Sequence, residues 1–267
     1  MPAPRVLVLR APGTNCDEET ALAFELAGGV ACRVHINRLF ESPRLLDAYQ
    51  ILCIPGGFSY GDDIAAGRIL ALELRSRLRD VLDSFIARDR LVLGVCNGFQ
   101  VLLQTGLLLD ADDAGAVATL AWNRSGRFED RWVRVACDAS ASPMLHGIDT
   151  MYLPIAHAEG RFATRDDEVL KRLRAAGQMP IRYAPLDGRG EVDSLDYPDN
   201  PNGSAGNVAG VCNPGGRILG LMPHPERHVS PMQHPWWTRR RQQPEEGDGL
   251  RLFRNAVGYF AVGYFGQ

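Results

Sequence analysis

Short apolar runs alternate with amphipathic stretches through the first hundred residues. Val6 to Leu9, Ala31 to Ile36, Ile51 to Ile54 and Leu91 to Val95 read as strands. Between them, a helix is predicted from an Asn15 cap through Gly28, with Asp17, Glu18 and Glu19 in its first turn and Gly28-Gly29 ending it. Leucines and isoleucines at helical spacing predict one long helix over Gly67 to Ala87, and Gly98 to Gln104 begins another. Buried strands alternating with helices imply an α/β fold whose parallel sheet is covered on both faces.

The pattern changes in the second half. Ala116 to Trp122, Arg131 to Ala136, Met151 to Ile155 and Ile181 to Ala184 read as strands of a mixed or antiparallel extension. Asn207 to Cys212 and Arg217 to Leu221 flank Pro214-Gly215-Gly216 as a hairpin. Asp187 to Ser204 is turn-rich and reads as a loop. An extended loop over 228–249 is expected, then a C-terminal helix over 250–267, read from Arg251 to Phe260. One domain over 1–267 is expected, without internal repeats.

Composition narrows the class. In 267 residues, 45% are hydrophobic and 23% charged, in the ordinary globular range. The net charge of −3 gives no basic footprint for nucleic acid or anionic membranes. The Arg239-Arg240-Arg241 run reads as a solvated turn. No secretory leader or membrane-spanning apolar stretch is visible, so a cytoplasmic chain with reduced thiols is expected. The six cysteines form no CxxC pair, and no metal site is expected.

Gly94-Val95-Cys96-Asn97-Gly98 has the spacing of a nucleophile elbow with sulfur in place of oxygen. The glycines let neighbouring backbones approach while the sharp turn lifts Cys96 above the sheet edge. The same spacing also fits a tight turn with a packed cysteine. A nucleophile needs a base, and the base needs an orienting group. His224, directly after a strand in Met222-Pro223-His224-Pro225-Glu226-Arg227, is the candidate base. In an extended, proline-stiffened chain Glu226 points to its side and can steady it. His35 reads as structural, His146, His228 and His234 as surface residues, and His157 as a pocket candidate. Backbone N–H groups freed by the glycines of Pro55-Gly56-Gly57, with the N–H of Asn97, can face a developing oxyanion. Thiol-based acyl transfer follows, with the acyl group left open.

Seven blocks extend the pattern: APGTNCDEET (11–20), GGFSYGDD (56–63), GVCNGFQ (94–100), WNRSGRFEDRWV (122–133), PIAHAEGRF (154–162), NPNGS (200–204) and GRILGLMPHPER (216–227). The constellation resembles the triad, class I glutamine amidotransferases. The blocks are similar to the branch formed by glutaminase components of phosphoribosylformylglycinamidine synthase, over about residues 5 to 227. That resemblance implies a flavodoxin-like three-layer sandwich. It makes Cys96 the nucleophile, His224 the base and Glu226 its orienter, with Gly57 and Asn97 as the oxyanion hole. It places Gln100 toward glutamine, and adds Gly56, Phe58, Asn123, Phe128 and His157 as pocket candidates.

The implied partners are a separate synthetase subunit, which would hold ATP and Mg, and a small bridging subunit. This chain would carry no cofactor. The stretch after Arg227 is longer than expected of a free-standing subunit, although the opening Met and first strand favour one. Trp236-Trp237 is expected to pack on the body, and the 187–204 loop to contact a partner. Other readings are a different triad amidotransferase or a γ-glutamyl hydrolase of the same fold, a non-catalytic binding module, or a redox sensor using Cys16 or Cys96.

Overall fold

The strands that carry the site are apolar along their whole length, and all are buried. In the computed structural model, which describes residues 2–188, 195–239 and 244–261, β1 (Arg5–Arg10), β2 (Val30–His35), β3 (Ile51–Ile54), β4 (Leu91–Val95) and β11 (Ile218–Leu221) form the parallel half of a nine-stranded sheet. Its order is β2-β1-β3-β4-β11-β10-β9-β6-β7. Every residue of β3, β4 and β11 is buried, as strands covered on both faces require.

The antiparallel half comprises β10 (Val208–Cys212), β9 (Ile181–Ala184), β6 (Glu129–Cys137) and β7 (Thr150–His157). In β7 every second residue, Met151 to His157, is buried, so only one face meets the core. A second, two-stranded sheet pairs β5 (Ala118–Ala121) with β8 (Arg161–Thr164). The predicted extension is therefore as large as the parallel part, and β8 was not legible as a strand.

Two helix groups cover the sheet. α1 (Asp17–Leu26) packs on α7 (Leu250–Gly258), with Phe24 and Phe253 edge to face at 4.9 Å. α3 (Arg68–Arg77) packs on α5 (Asn97–Thr105), which also covers β3, β4 and β11. The remaining helices are α2 (Ile36–Glu41), α4 (Arg79–Ala87) and α6 (Asp167–Ala175). This is the expected α/β sandwich, and one apolar cluster runs from Val6 to Val257. No helix among the described residues is long and apolar enough to cross a membrane.

Several local expectations change. The helix expected over Gly67 to Ala87 breaks at Leu78, whose φ of −127° and ψ of 7° leave the helical well. Asn15 does not cap α1: Cys16 holds that position without a side-chain cap bond. The first-turn acids instead bind arginines, Arg10 and Arg33 to Asp17, and Arg33 to Glu18.

His228 and His234 are buried, not at the surface, in a ring cluster with Trp132 and Tyr152. Trp236 and Trp237 remain 60% and 42% exposed, so neither is packed away as expected. Part of the 187–204 loop, most of the Arg239 to Arg241 run and the end of the 250–267 segment lie outside the described residues.

Candidate active site

β4 and β11 are parallel neighbours with Gly94 opposite Gly220 and Val95 opposite Leu221. Both strands end at one edge of the sheet, and each leads into a candidate residue. Cys96 follows β4, its N–H bonding Leu221 O at 2.8 Å. Its φ of 51° and ψ of −108° lie outside the ordinary regions of an L-residue. Strain of this kind costs on the order of 1–3 kcal/mol and persists only where the surroundings enforce it. Here the elbow glycines permit the turn. A Cβ on Gly98 would lie 1.8 Å from Ile54 O, and one on Gly94 2.6 Å from Gly98 O. The Cys96 side chain is held 6% exposed, with Sγ 3.8 Å from Ala156 O. α5 starts at the next residue, so its unpaired N–H groups favour negative charge there.

His224 follows β11, anchored by its N–H to Pro154 O at 2.9 Å. A 3-10 turn over Pro225–Arg227 folds Glu226 back, so His224 Nδ1 and Glu226 Oε1 meet at 2.6 Å. An extended stretch is expected here from the sequence; the pairing is right, but a turn produces it. Both side chains are buried, at 2% and 0% exposure. Burial pushes His224 down, but the Glu226 carboxylate and Cys96 outweigh it and raise His224 well above its ordinary value. His224 Nε2 and Glu226 Oε2 make no hydrogen bond within the protein.

The Gly56-Gly57 loop borders this pair. Gly57 has φ of +142°, and a Cβ there would meet Asn15 N at 2.8 Å. A Cβ on Gly56 would meet His224 Cε1 at 2.8 Å. Only glycine lets this backbone lie against the imidazole. Asn97 ties the loop to the elbow: Oδ1 accepts from Ser59 N at 3.1 Å, and Nδ2 donates to Asp62 Oδ1 and Gln100 Oε1 at 3.1 and 2.9 Å.

The pocket candidates divide. Phe58 and Phe128 are 46% and 51% exposed and can meet a ligand. Gln100 was expected to face glutamine. Instead both ends of its amide are engaged by the protein, Oε1 with Asn97 and Nε2 with Glu159 O at 2.6 Å. Asn123 is likewise turned inward. Its Nδ2 donates to Arg127 O and His157 O, both at 2.8 Å. Its Oδ1 accepts from Gly160 N at 3.2 Å and faces His157 Nδ1 at 3.1 Å.

An amide oriented by two carbonyl acceptors presents oxygen to His157, so Nδ1 carries the proton and Nε2 is a bare acceptor. Burial, then repulsion from His224, lowers His157 to about 3, so it stays neutral. Asn123 thus positions His157.

Cys16, named from the sequence only as a possible redox sensor, proves to lie at this site. Cys16 is buried beside the His224–Glu226 pair, its Sγ 3.1 Å from Arg227 Nη2 and 3.2 Å from Asn15 Oδ1. Burial, chiefly, raises its thiol. Nothing local signals this proximity, because α1 and β11 meet only in the folded chain.

Comparison with known proteins agrees with this geometry. Residues 3–260 match the family of the CobB/CobQ-like glutamine amidotransferase domain. The chain is 45% identical over 254 residues to phosphoribosylformylglycinamidine synthase subunit PurQ of Dehalococcoides mccartyi, covering 95% of this chain and 96% of that protein. It is 37% identical over 272 residues to human phosphoribosylformylglycinamidine synthase, covering 96% of this chain but 20% of the human protein. Among solved structures, a chain of PurLQS from Thermotoga maritima superposes with a TM-score of 0.72 at 30% identity, covering 96% of this chain and 99% of that one. With a cysteine elbow and a histidine–glutamate pair on one edge of the sheet, the chain belongs to the CobB/CobQ-like glutamine amidotransferase family.

Proposed function

We propose that this chain is the glutaminase subunit of phosphoribosylformylglycinamidine synthase. It hydrolyses glutamine and passes ammonia to a separate ATP-dependent synthetase subunit. The observation that carries the chemistry is the buried His224–Glu226 pair at 2.6 Å beside a thiol on a strained elbow. The near full-length likeness to PurQ subunits supports the choice of synthase. The name PurLQS supports a multi-subunit assembly, in which the synthetase, with ATP and Mg, is the expected partner.

In this reading the Cys96 proton resides on His224, leaving a thiolate, and Glu226 stabilises the imidazolium. The thiolate attacks the side-chain amide carbon of glutamine. Negative charge moves to the amide oxygen, where the N–H groups of Gly57 and Asn97 would receive it; one such donor is worth about 3–4 kcal/mol. The tetrahedral intermediate collapses, the C–N bond breaks, and His224 returns its proton to the departing ammonia. His224 then takes a proton from water, whose oxygen attacks the thioester. Glutamate leaves and the thiol is restored.

The test uses the assembled synthase with Cys96→Ala. Glutamine-dependent synthesis should vanish, while synthesis from added ammonia persists. Loss of both in an assembled complex would refute the division of labour, and retained glutamine use would refute the nucleophile.

A further inference from the structure

Cys16 belongs to no step above, yet it faces the centre of the site. Its Sγ, a nitrogen of His224 and a carboxylate oxygen of Glu226 all lie within 4.8 Å of one another. All three residues are at most 2% exposed. Glu226 Oε2 and His224 Nε2 are buried without a hydrogen-bond partner, so ligating capacity is left over at both atoms. A soft thiol, an imidazole and a carboxylate suit a thiophilic divalent ion. Zinc binds sulfur at about 2.3 Å and nitrogen or oxygen at about 2.0–2.2 Å, which sets tetrahedral ligand separations at roughly 3.3–3.8 Å. Starting within 4.8 Å of one another, the three donor atoms need to close by at most about 1.5 Å.

We propose that Cys16, His224 and Glu226 form an inhibitory Zn2+ site. Binding replaces the Cys16 thiol proton and any proton on the ligating imidazole nitrogen; these leave to solvent, and no electrons move. The fourth position falls to a water carried in with the ion, as in zinc sites with three protein ligands. Zinc there occupies the candidate base and its orienting carboxylate together, so the thiol chemistry stops. The inhibitory effect rests on the triad reading; the site itself does not. Arg227, 3.1 Å from Cys16 Sγ, must swing aside or remain as its neighbour when the metal binds.

The experiment uses the full chain in its synthase complex, with Zn2+ as inhibitor and Co2+ as spectroscopic probe. One Co2+ per chain should give a sulfur-to-cobalt charge-transfer band. Micromolar Zn2+ should abolish glutamate release, and a chelator should restore it. Cys16→Ser should keep metal-free turnover within about twofold, raise the inhibitory Zn2+ concentration at least tenfold, and lose most of the cobalt band. Cys96→Ser, inactive by design, should keep the band through Cys16. An unchanged inhibitory concentration in Cys16→Ser would overturn the proposal, as would a band that vanishes only with Cys96→Ser. A wild-type complex with no glutaminase activity would instead count against the function, while the cobalt spectrum still decides the metal site.

Discussion

Glu226→Gln isolates the orienting carboxylate with almost no change in shape. Glu226 is fully buried, and its Oε1 lies 2.6 Å from His224 Nδ1. In the native site the negative partners raise His224 well above its ordinary value, against the pull of burial. The amide removes the main opposing charge, so burial prevails and the imidazolium becomes costly. Removing one member of a buried ion pair costs about 3–5 kcal/mol. If that full amount falls on the imidazolium-containing transition state, turnover drops roughly 10²–10⁴-fold at 1.36 kcal/mol per decade.

Two readouts check the prediction: glutamate release in the assembled complex, and the proton occupancy of His224 followed by nitrogen-15 chemical shift. The sign is fixed. In the native chain His224 holds its proton above the ordinary histidine range. The stability this contributes is complete below the unfolded value, about 6.5, and is lost as pH rises through the higher folded value. In the variant the proton leaves at lower pH and that contribution disappears. Turnover within threefold of wild type, in a folded variant with an unchanged His224 titration, would refute the assignment of Glu226.

Other outcomes follow from the same geometry. Gly98→Ala sets a Cβ 1.8 Å from Ile54 O, where even 3.0 Å is essentially never seen, so α5 and β3 must part by more than an ångström. A displacement of that size costs about a hundredfold in turnover, and thermal melting should fall together with glutamate release. His157 should stay neutral, with its proton on Nδ1, until pH approaches about 3. Histidine nitrogen shifts test this, and titration near 6.5 would contradict it. By linkage, burying this imidazole uncharged should lower stability progressively as pH falls below about 6.5 toward 3.

The parallel half was legible because fully buried strands are written as unbroken apolar runs: Ile51 to Ile54 and Leu91 to Val95 appear almost as they fold. The elbow was legible for a similar reason, since Gly94 and Gly98 are demanded by backbone contacts within a few residues or on an adjacent strand. The His224–Glu226 pairing was read correctly through a wrong conformation, because two residues of separation bring side chains together in a turn as well as in a strand. Tertiary choices were not legible. Gln100 and Asn123 carry amides that can serve a ligand or the protein equally well, and only their partners in the folded chain decide. Burial of His228 and His234 depends on Trp132 and Tyr152 from distant strands. The break at Leu78 has no Gly or Pro to announce it.

The registry of β4 against β11 has a further meaning for the life of the chain. The thiol emerges early in synthesis and its base near the end, on strands that touch only when β11 slots in beside β4. A slip of one residue along that pairing would carry His224 about 3.3 Å away and turn alternate side chains to the other face. Activity is therefore a report on completed assembly. A chain cut short before residue 218 bears the sulfur but cannot spend glutamine, and no half-made copy releases ammonia.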